Sequence, residues 1–256
     1  MCLILIAFES HPAYKLILAA NRDEYYERPT APACFWGHAP GVLAGRDLRG
    51  GGTWLGVTTK GKVGSLTNFR APSSYKTNAS SRGELLSNFL LSQESPVDYL
   101  EKLEQKAEEY NGFNLIIGQM DELYWYSNRS DGRRKLAHGI YGLSNHLLDT
   151  PWPKVIRGRG VFQRLLSGDT YPAAESIFDM LSDCWTPDDE GLPDTGVGIE
   201  WERILSPIFV SSPTYGTRSS TSLSIDLNDR VTYIERTFDS RQDNATTVKY
   251  EFQIEP

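Results

Sequence analysis

Cysteine is scarce in this chain of 256 residues: three in all, Cys2, Cys34 and Cys184. So odd and sparse a set builds no disulfide framework. Positive charge is also in short supply. The 26 Lys and Arg stand against 33 Asp and Glu, leaving a formal net charge of −7. The densest basic run, residues 129–135, contains an Asp-Gly turn and reads as a solvated loop. Nucleic acid and anionic lipid are thereby excluded as main partners. Long apolar runs are missing too. The stretch behind Met1 stops at Glu9 and has no basic start, so it is neither a secretory leader nor close to the roughly 20 residues of a membrane helix. With a mean hydropathy of −0.41, a cytoplasmic protein with reduced thiols and no transmembrane segment is expected. The four histidines share no ligand spacing with each other or with the cysteines, so no metal site is expected. No internal repeat, low-complexity linker or charge block marks a boundary, and one domain over residues 1–256 is expected.

What the chain does contain is alternating blocks of strand and helix pattern. Residues 2–8 and 14–20 are apolar runs separated by a His-Pro turn and read as a hairpin. Residues 53–58 and 62–68 read as a second hairpin, and 113–118, 123–127 and 140–144 as further strands. Helices are predicted over 82–91 and 96–110, then over 155–166 and 173–181. Residues 184–200, rich in Asp, Gly and Pro, read as a loop. Strands at 208–211, 218–226, 231–236 and 248–254 close the chain. Two strand blocks, each feeding a helix pair, imply an α+β layered fold with helices outside two stacked sheets.

Two glycine-containing motifs resemble phosphate sites without completing them. Gly56 to Val63 almost spells a P-loop, but Val63 stands where a magnesium-binding hydroxyl is required and a strand follows. Arg49-Gly50-Gly51-Gly52 has no dinucleotide spacing and reads as a bulge or close backbone approach. Trp54 and Trp152 flank polar motifs and could line a pocket, although core packing is the simpler role for tryptophan.

Chemistry concentrates at the amino terminus. Cys2 could be a core residue of the first strand or a nucleophile exposed by removal of Met1. Asn21-Arg22-Asp23-Glu24 follows the second apolar run, and antiparallel pairing brings the end of that strand to the start of the first. An Arg–Asp surface pair is the plain alternative. Beside Cys2, however, Arg22 would favour thiolate and Asp23 would orient the amine. A free α-amine, with a pKa of roughly 7.7–8.0, is a competent internal base. Neighbours on a strand point to opposite faces, so both side chains reach Cys2 only if the strand has ended by Asn21.

Together MCLILIAF, NRDEYYERP, GRDLRGGGTWLGVT, LTNFRAP, YNGFNLIIG, YGLSNHLLDTPWPK and YGTRSST resemble the NRDE-motif family, the Tango-type transport-and-Golgi-organisation proteins. The resemblance runs from Met1 to about Thr221. It implies an N-terminal-nucleophile hydrolase fold, a four-layer αββα sandwich, and a similarity to penicillin V acylases and bile-salt hydrolases. By that similarity Cys2, Arg22 and Asp23 are catalytic and Asn145 stabilises an oxyanion. Asn68 would be a second donor, Arg218 a late-strand arginine, and Asn21 joins Trp54 and Trp152 among candidate substrate contacts. A small-molecule amide or acyl ligand is then the expected substrate, hydrolysed without a cofactor. The family also suggests a different class of function, haem binding and trafficking or acyl-CoA and lipid handling in the same pocket without catalysis. His138, His146 or Cys2 would ligate the iron, although no haem-regulatory Cys-Pro pair is present.

Overall fold

The apolar run behind Met1 forms β1 (Cys2–His11), and the His-Pro turn returns the chain as β2 (Tyr14–Tyr25). The computed structural model describes residues 2–119, 121–168, 172–239 and 245–255. The chain divides into two units, each assembled from separate segments. The first comprises Met1–Glu27, His138–Ser144 and Leu148–Glu251; the second comprises Arg28–Ala137, Asn145–Leu147 and Phe252–Pro256.

In the first unit β1 and β2 lie near the middle of a six-stranded sheet. The outer strands are β10 (Gly139–Leu143), β11 (Tyr215–Asp226), β12 (Arg230–Phe238) and β13 (Ala245–Gln253), in the order β10-β1-β2-β11-β12-β13. Leu3, Leu5 and Ala7 of β1, with Ile17 and Ala19 of β2, form one face by the period-two alternation of strands. That face packs against α3 (Pro153–Leu165) and α4 (Ala174–Leu181) through Val155, Phe162, Ile177 and Phe178. The alternate residues Ile4, Ile6 and Leu18 are also buried. Burial on both faces explains why these strands read as continuous apolar runs.

The second unit is a seven-stranded antiparallel meander, whose spatial order follows the chain from β3 to β9. It comprises β3 (Thr30–Trp36), β4 (Ala39–Asp47), β5 (Leu55–Thr58), β6 (Lys62–Asn68), β7 (Phe113–Gln119), β8 (Glu122–Ser127) and β9 (Arg134–Lys135). Its core joins α1 (Gly83–Leu91) and α2 (Pro96–Glu104) to the sheet through Leu86, Phe89, Leu103, Phe113 and Leu115. The P-loop look-alike is the β5–β6 hairpin, turning at Gly61 with φ +77°. Its Lys62 ammonium donates to the carbonyls of Phe89, Ser92 and Glu94 at the end of α1, where a cation complements the helix dipole. The triple glycine marks a close approach: a Cβ on Gly52 would fall 2.3 Å from the carbonyl carbon of Gly83.

The structure differs from the sequence reading in several elements, among them β9, which lies in the run read as a solvated loop. β3 and β4 were not expected; β3 contains Pro32, which is tolerated because β3 is an edge strand with a register shift between Ala31 and Cys34. The expected loop over 184–200 gives way at its end to α5 (Ile199–Leu205), which the sequence reading did not contain and which starts at Gly198 with φ +87° and no side-chain cap. The expected strand at 208–211 is absent: Ile208 packs into the α3–α4 core, and only Ser211 makes a bridge, to Gly216.

Candidate active site

Strand register assembles the site in the first unit. Cys2 pairs with Arg22 across β1–β2, and Arg22 pairs with Ser219 across β2–β11. Residues directly opposite share a face, so Cys2, Arg22 and Ser219 form one row on the side away from α3 and α4. Asp23 lies on the helix-bearing side with Asn21. The condition that the strand end by Asn21 is not met, and the strand read over 14–20 is corrected: β2 continues to Tyr25, because β11 pairs with it along that whole length. Asp23 reaches Cys2 by a different route, its backbone N–H being directed at the Cys2 sulfur. A β-bulge between Thr217 and Ser219 sets Thr217 opposite Asp23 and Ser219 opposite Arg22. The extra residue is Arg218, whose guanidinium donates to the carbonyls of Tyr25 and Tyr26 at 2.9 and 3.1 Å.

The Asp23 carboxylate is buried and accepts from the Thr217 hydroxyl at 2.8 Å, while the Tyr215 hydroxyl donates to the Asp23 carbonyl at 2.8 Å. Burial raises its pKa, opposed first by Lys154 and also by Thr217 and Arg22. Burial likewise raises the Cys2 thiol, although the residue keeps some exposure. The Asp23 carboxylate adds to the rise, while the Asp23 amide and the Arg22 guanidinium pull it down. Arg22 therefore acts in the expected direction but does not outweigh desolvation. The Ser144 hydroxyl donates to the Cys2 carbonyl at 3.0 Å and ties β1 to the end of β10. Met1 itself lies outside the described residues.

Lys154 was missed by sequence reasoning. It is buried in the first turn of α3, with its ammonium 3.4 Å from the Pro207 carbonyl. The one sequence signal was a lysine directly behind Pro153, at a helix start where acidic residues are favoured.

Asn21 has a structural role. Its amide donates to the carbonyls of Leu181 and Ile208 at 2.7 and 2.9 Å, and its oxygen accepts from Ser220 at 2.6 Å. Both amide hydrogens are spent, so the expected substrate contact has no donor left to give. Trp152 caps the start of α3 and packs in the apolar core of the first unit. In the second unit the Trp54 ring lies over Gly45, where a Cβ would come within 2.5 Å of it. Asn145 and Asn68 meet there as well: the buried Asn145 side-chain amide donates to the Asn68 carbonyl at 2.8 Å, and Arg70 N–H donates to the Asn145 carbonyl at 2.7 Å. His138 pairs with Glu9, and His146 packs against Phe69 with burial lowering its pKa. Among the described residues no three His, Cys, Asp or Glu side chains converge on a point that could hold a metal ion.

A family model for Transport and Golgi organisation 2 matches residues 1–240. A Transport and Golgi organization 2 homolog from Mus musculus is 37% identical over 276 residues, covering 100% of both chains. Transport and Golgi organization protein 2 from Drosophila melanogaster is 28% identical, covering 99% of each. Among solved structures, a mutant conjugated bile acid hydrolase from Clostridium perfringens superposes with a TM-score of 0.52 at 9% identity, covering 99% of this chain and 97% of that one. The likeness shows a fold of the N-terminal-nucleophile hydrolase type.

Proposed function

We propose that this chain, which belongs to the Transport and Golgi organisation 2 family, hydrolyses a C–N amide or related acyl bond of a small molecule, with Cys2 as its nucleophile once Met1 is removed. One observation carries the reading: the register that sets Arg22 opposite Cys2 while the Asp23 amide meets the sulfur. A buried cation, a backbone donor and a carboxylate around one cysteine form a nucleophile's environment.

In this mechanism the Cys2 α-amine takes the thiol proton, and the thiolate attacks the substrate carbonyl. The resulting oxyanion is held by the Asn145 amide, a role that rests on the family resemblance. Collapse of the intermediate breaks the C–N bond, and the α-ammonium returns its proton to the leaving amine. Water then attacks the thioester with the α-amine again as base, releasing the acid and restoring the thiol.

Two outcomes are expected. Intact-mass measurement shows a mature protein beginning at Cys2; retention of Met1 would block the α-amine and sink the mechanism. Replacing Arg22 with Met slows alkylation of Cys2 by iodoacetamide at neutral pH several-fold, because thiolate is the reactive species. Equal rates in the two proteins would remove Arg22 as the thiolate's partner. If Cys2 instead ligates haem, added haemin protects it from alkylation whether or not Arg22 is present.

A further inference from the structure

Lys154 is buried, with 3% of its surface exposed, and it stands in the first turn of a 13-residue helix. A cation there opposes the helix dipole, and a buried ammonium is costly unless an anion compensates it. Neither helix propensity nor apolar packing accounts for this residue. Its surroundings do. The Lys154 ammonium donates to the Pro207 carbonyl, while the Asn21 amide donates to the next carbonyl, Ile208. Asn21 and Asp23 share one face of β2, two residues and so about 7 Å apart. The lysine head is therefore delivered to the helix-bearing side of the sheet where the Asp23 carboxylate lies, and it is the strongest opposite charge acting on that carboxylate.

We propose that Lys154 is a positioning residue that neutralises Asp23 and so leaves the α-amine of a processed Cys2 free to accept the thiol proton near neutral pH. This rests on the hydrolase reading above. Without a counter-charge, a buried carboxylate beside an amine shares one proton with it, as carboxylate and ammonium or as carboxylic acid and amine. In either form that proton leaves only at raised pH. With Lys154 supplying the positive charge, the carboxylate stays ionised after the amine has lost its proton. The other groups acting on this pair are the Cys2 thiol of β1, Arg22 of β2, and the Thr217 and Tyr215 hydroxyls of β11.

The test measures the titration midpoint of the amino-terminal amine by trace acetic-anhydride labelling across pH, read by mass on the terminal peptide. A Cys2→Ser background removes the competing thiol. Lys154→Met is expected to raise the midpoint by about one pH unit or more, and Lys154→Arg to leave it near the parent's value. Asp23→Asn, which leaves Lys154 uncompensated, is expected to lower it. Circular dichroism checks folding, and if Lys154→Met does not fold, the arginine and asparagine variants decide the question. An unmoved midpoint in folded Lys154→Met, or in Asp23→Asn, overturns the role of Lys154 and leaves the hydrolase reading standing. A mass showing Met1 retained overturns both.

Discussion

Replacing Asn145 with alanine is expected to cut acylation of Cys2 by about 10²–10³-fold, the usual loss when one preorganised oxyanion donor is removed. The physical basis is orientation. The amide nitrogen of Asn145 donates to the Asn68 carbonyl at 2.8 Å. That bond sets the plane of the amide, so it needs no reorganisation when charge develops on a substrate oxygen. The residue is wholly buried, where a neutral donor acts on charge more strongly than in water. The measurement is the p-nitrophenolate burst from p-nitrophenyl acetate, followed together with a thermal melt. Loss of the Asn68 hydrogen bond alone costs about 1 kcal/mol of stability, so some lowering of the melting temperature accompanies the variant on any account. A burst of unchanged rate in a protein with a lowered melting temperature would reduce Asn145 to a tie on the Asn68 carbonyl.

Phe162→Ala carries the largest expected cost in stability, about 3–5 kcal/mol. Phe162 has no exposed surface and belongs to the core that holds α3 and α4 on β1 and β2. The helix sits close to the sheet: a Cβ on Gly158 would lie 3.2 Å from Leu5 and 3.3 Å from Ile208. So tight a contact cannot collapse far into the void left by a phenyl ring, and the cavity term is felt nearly in full. Phe162→Leu should lose much less, since it keeps most of the apolar volume. Urea unfolding monitored by circular dichroism checks both variants. Equal midpoints for Phe162→Ala and the parent would show that α3 is anchored elsewhere. Because α3 carries Lys154, the alanine variant is also expected to disturb the Asp23 carboxylate.

Some of this arrangement could be read from the chain and some could not. The β1–β2 hairpin was legible because two apolar runs flank a turn, and antiparallel geometry alone then placed Arg22 beside Cys2. The role of Asp23 was half legible. The sequence made a strand ending at Asn21 the condition for its approach to Cys2, whereas the backbone amide makes the contact while the strand runs on. Arg22–Ser219 pairing and the bulge at Arg218 depend on β11, whose partner strand lies almost the whole chain away; no local pattern encodes it. Lys154 was invisible for the same reason, since its partner Asp23 belongs to a distant strand. β3 contains Pro32, whose meaning depends on whether a strand lies at a sheet edge, and α5 has a start without a capping side chain. Sequence pattern reports what a segment does with its neighbours in the chain, and these features arise from neighbours in space.

The Cys2 hairpin is made early relative to its neighbours in the sheet, because the strands on either side of it come late: β10 pairs at Ile4–Leu143 and β11 at Arg22–Ser219. At a synthesis rate of about 5–20 residues per second, Ser219 follows Cys2 by roughly 10–40 seconds. Until β10 emerges the hairpin has neither flanking strand, and until β11 emerges it lacks the one that pairs with Arg22; a two-stranded hairpin by itself is marginally stable in water. In the hydrolase reading proposed above, excision of the methionine is expected while the chain is still open. Closure of the sheet by β11 then sets Arg22 in register and surrounds the thiol, so the order of synthesis separates trimming from enclosure without any further device.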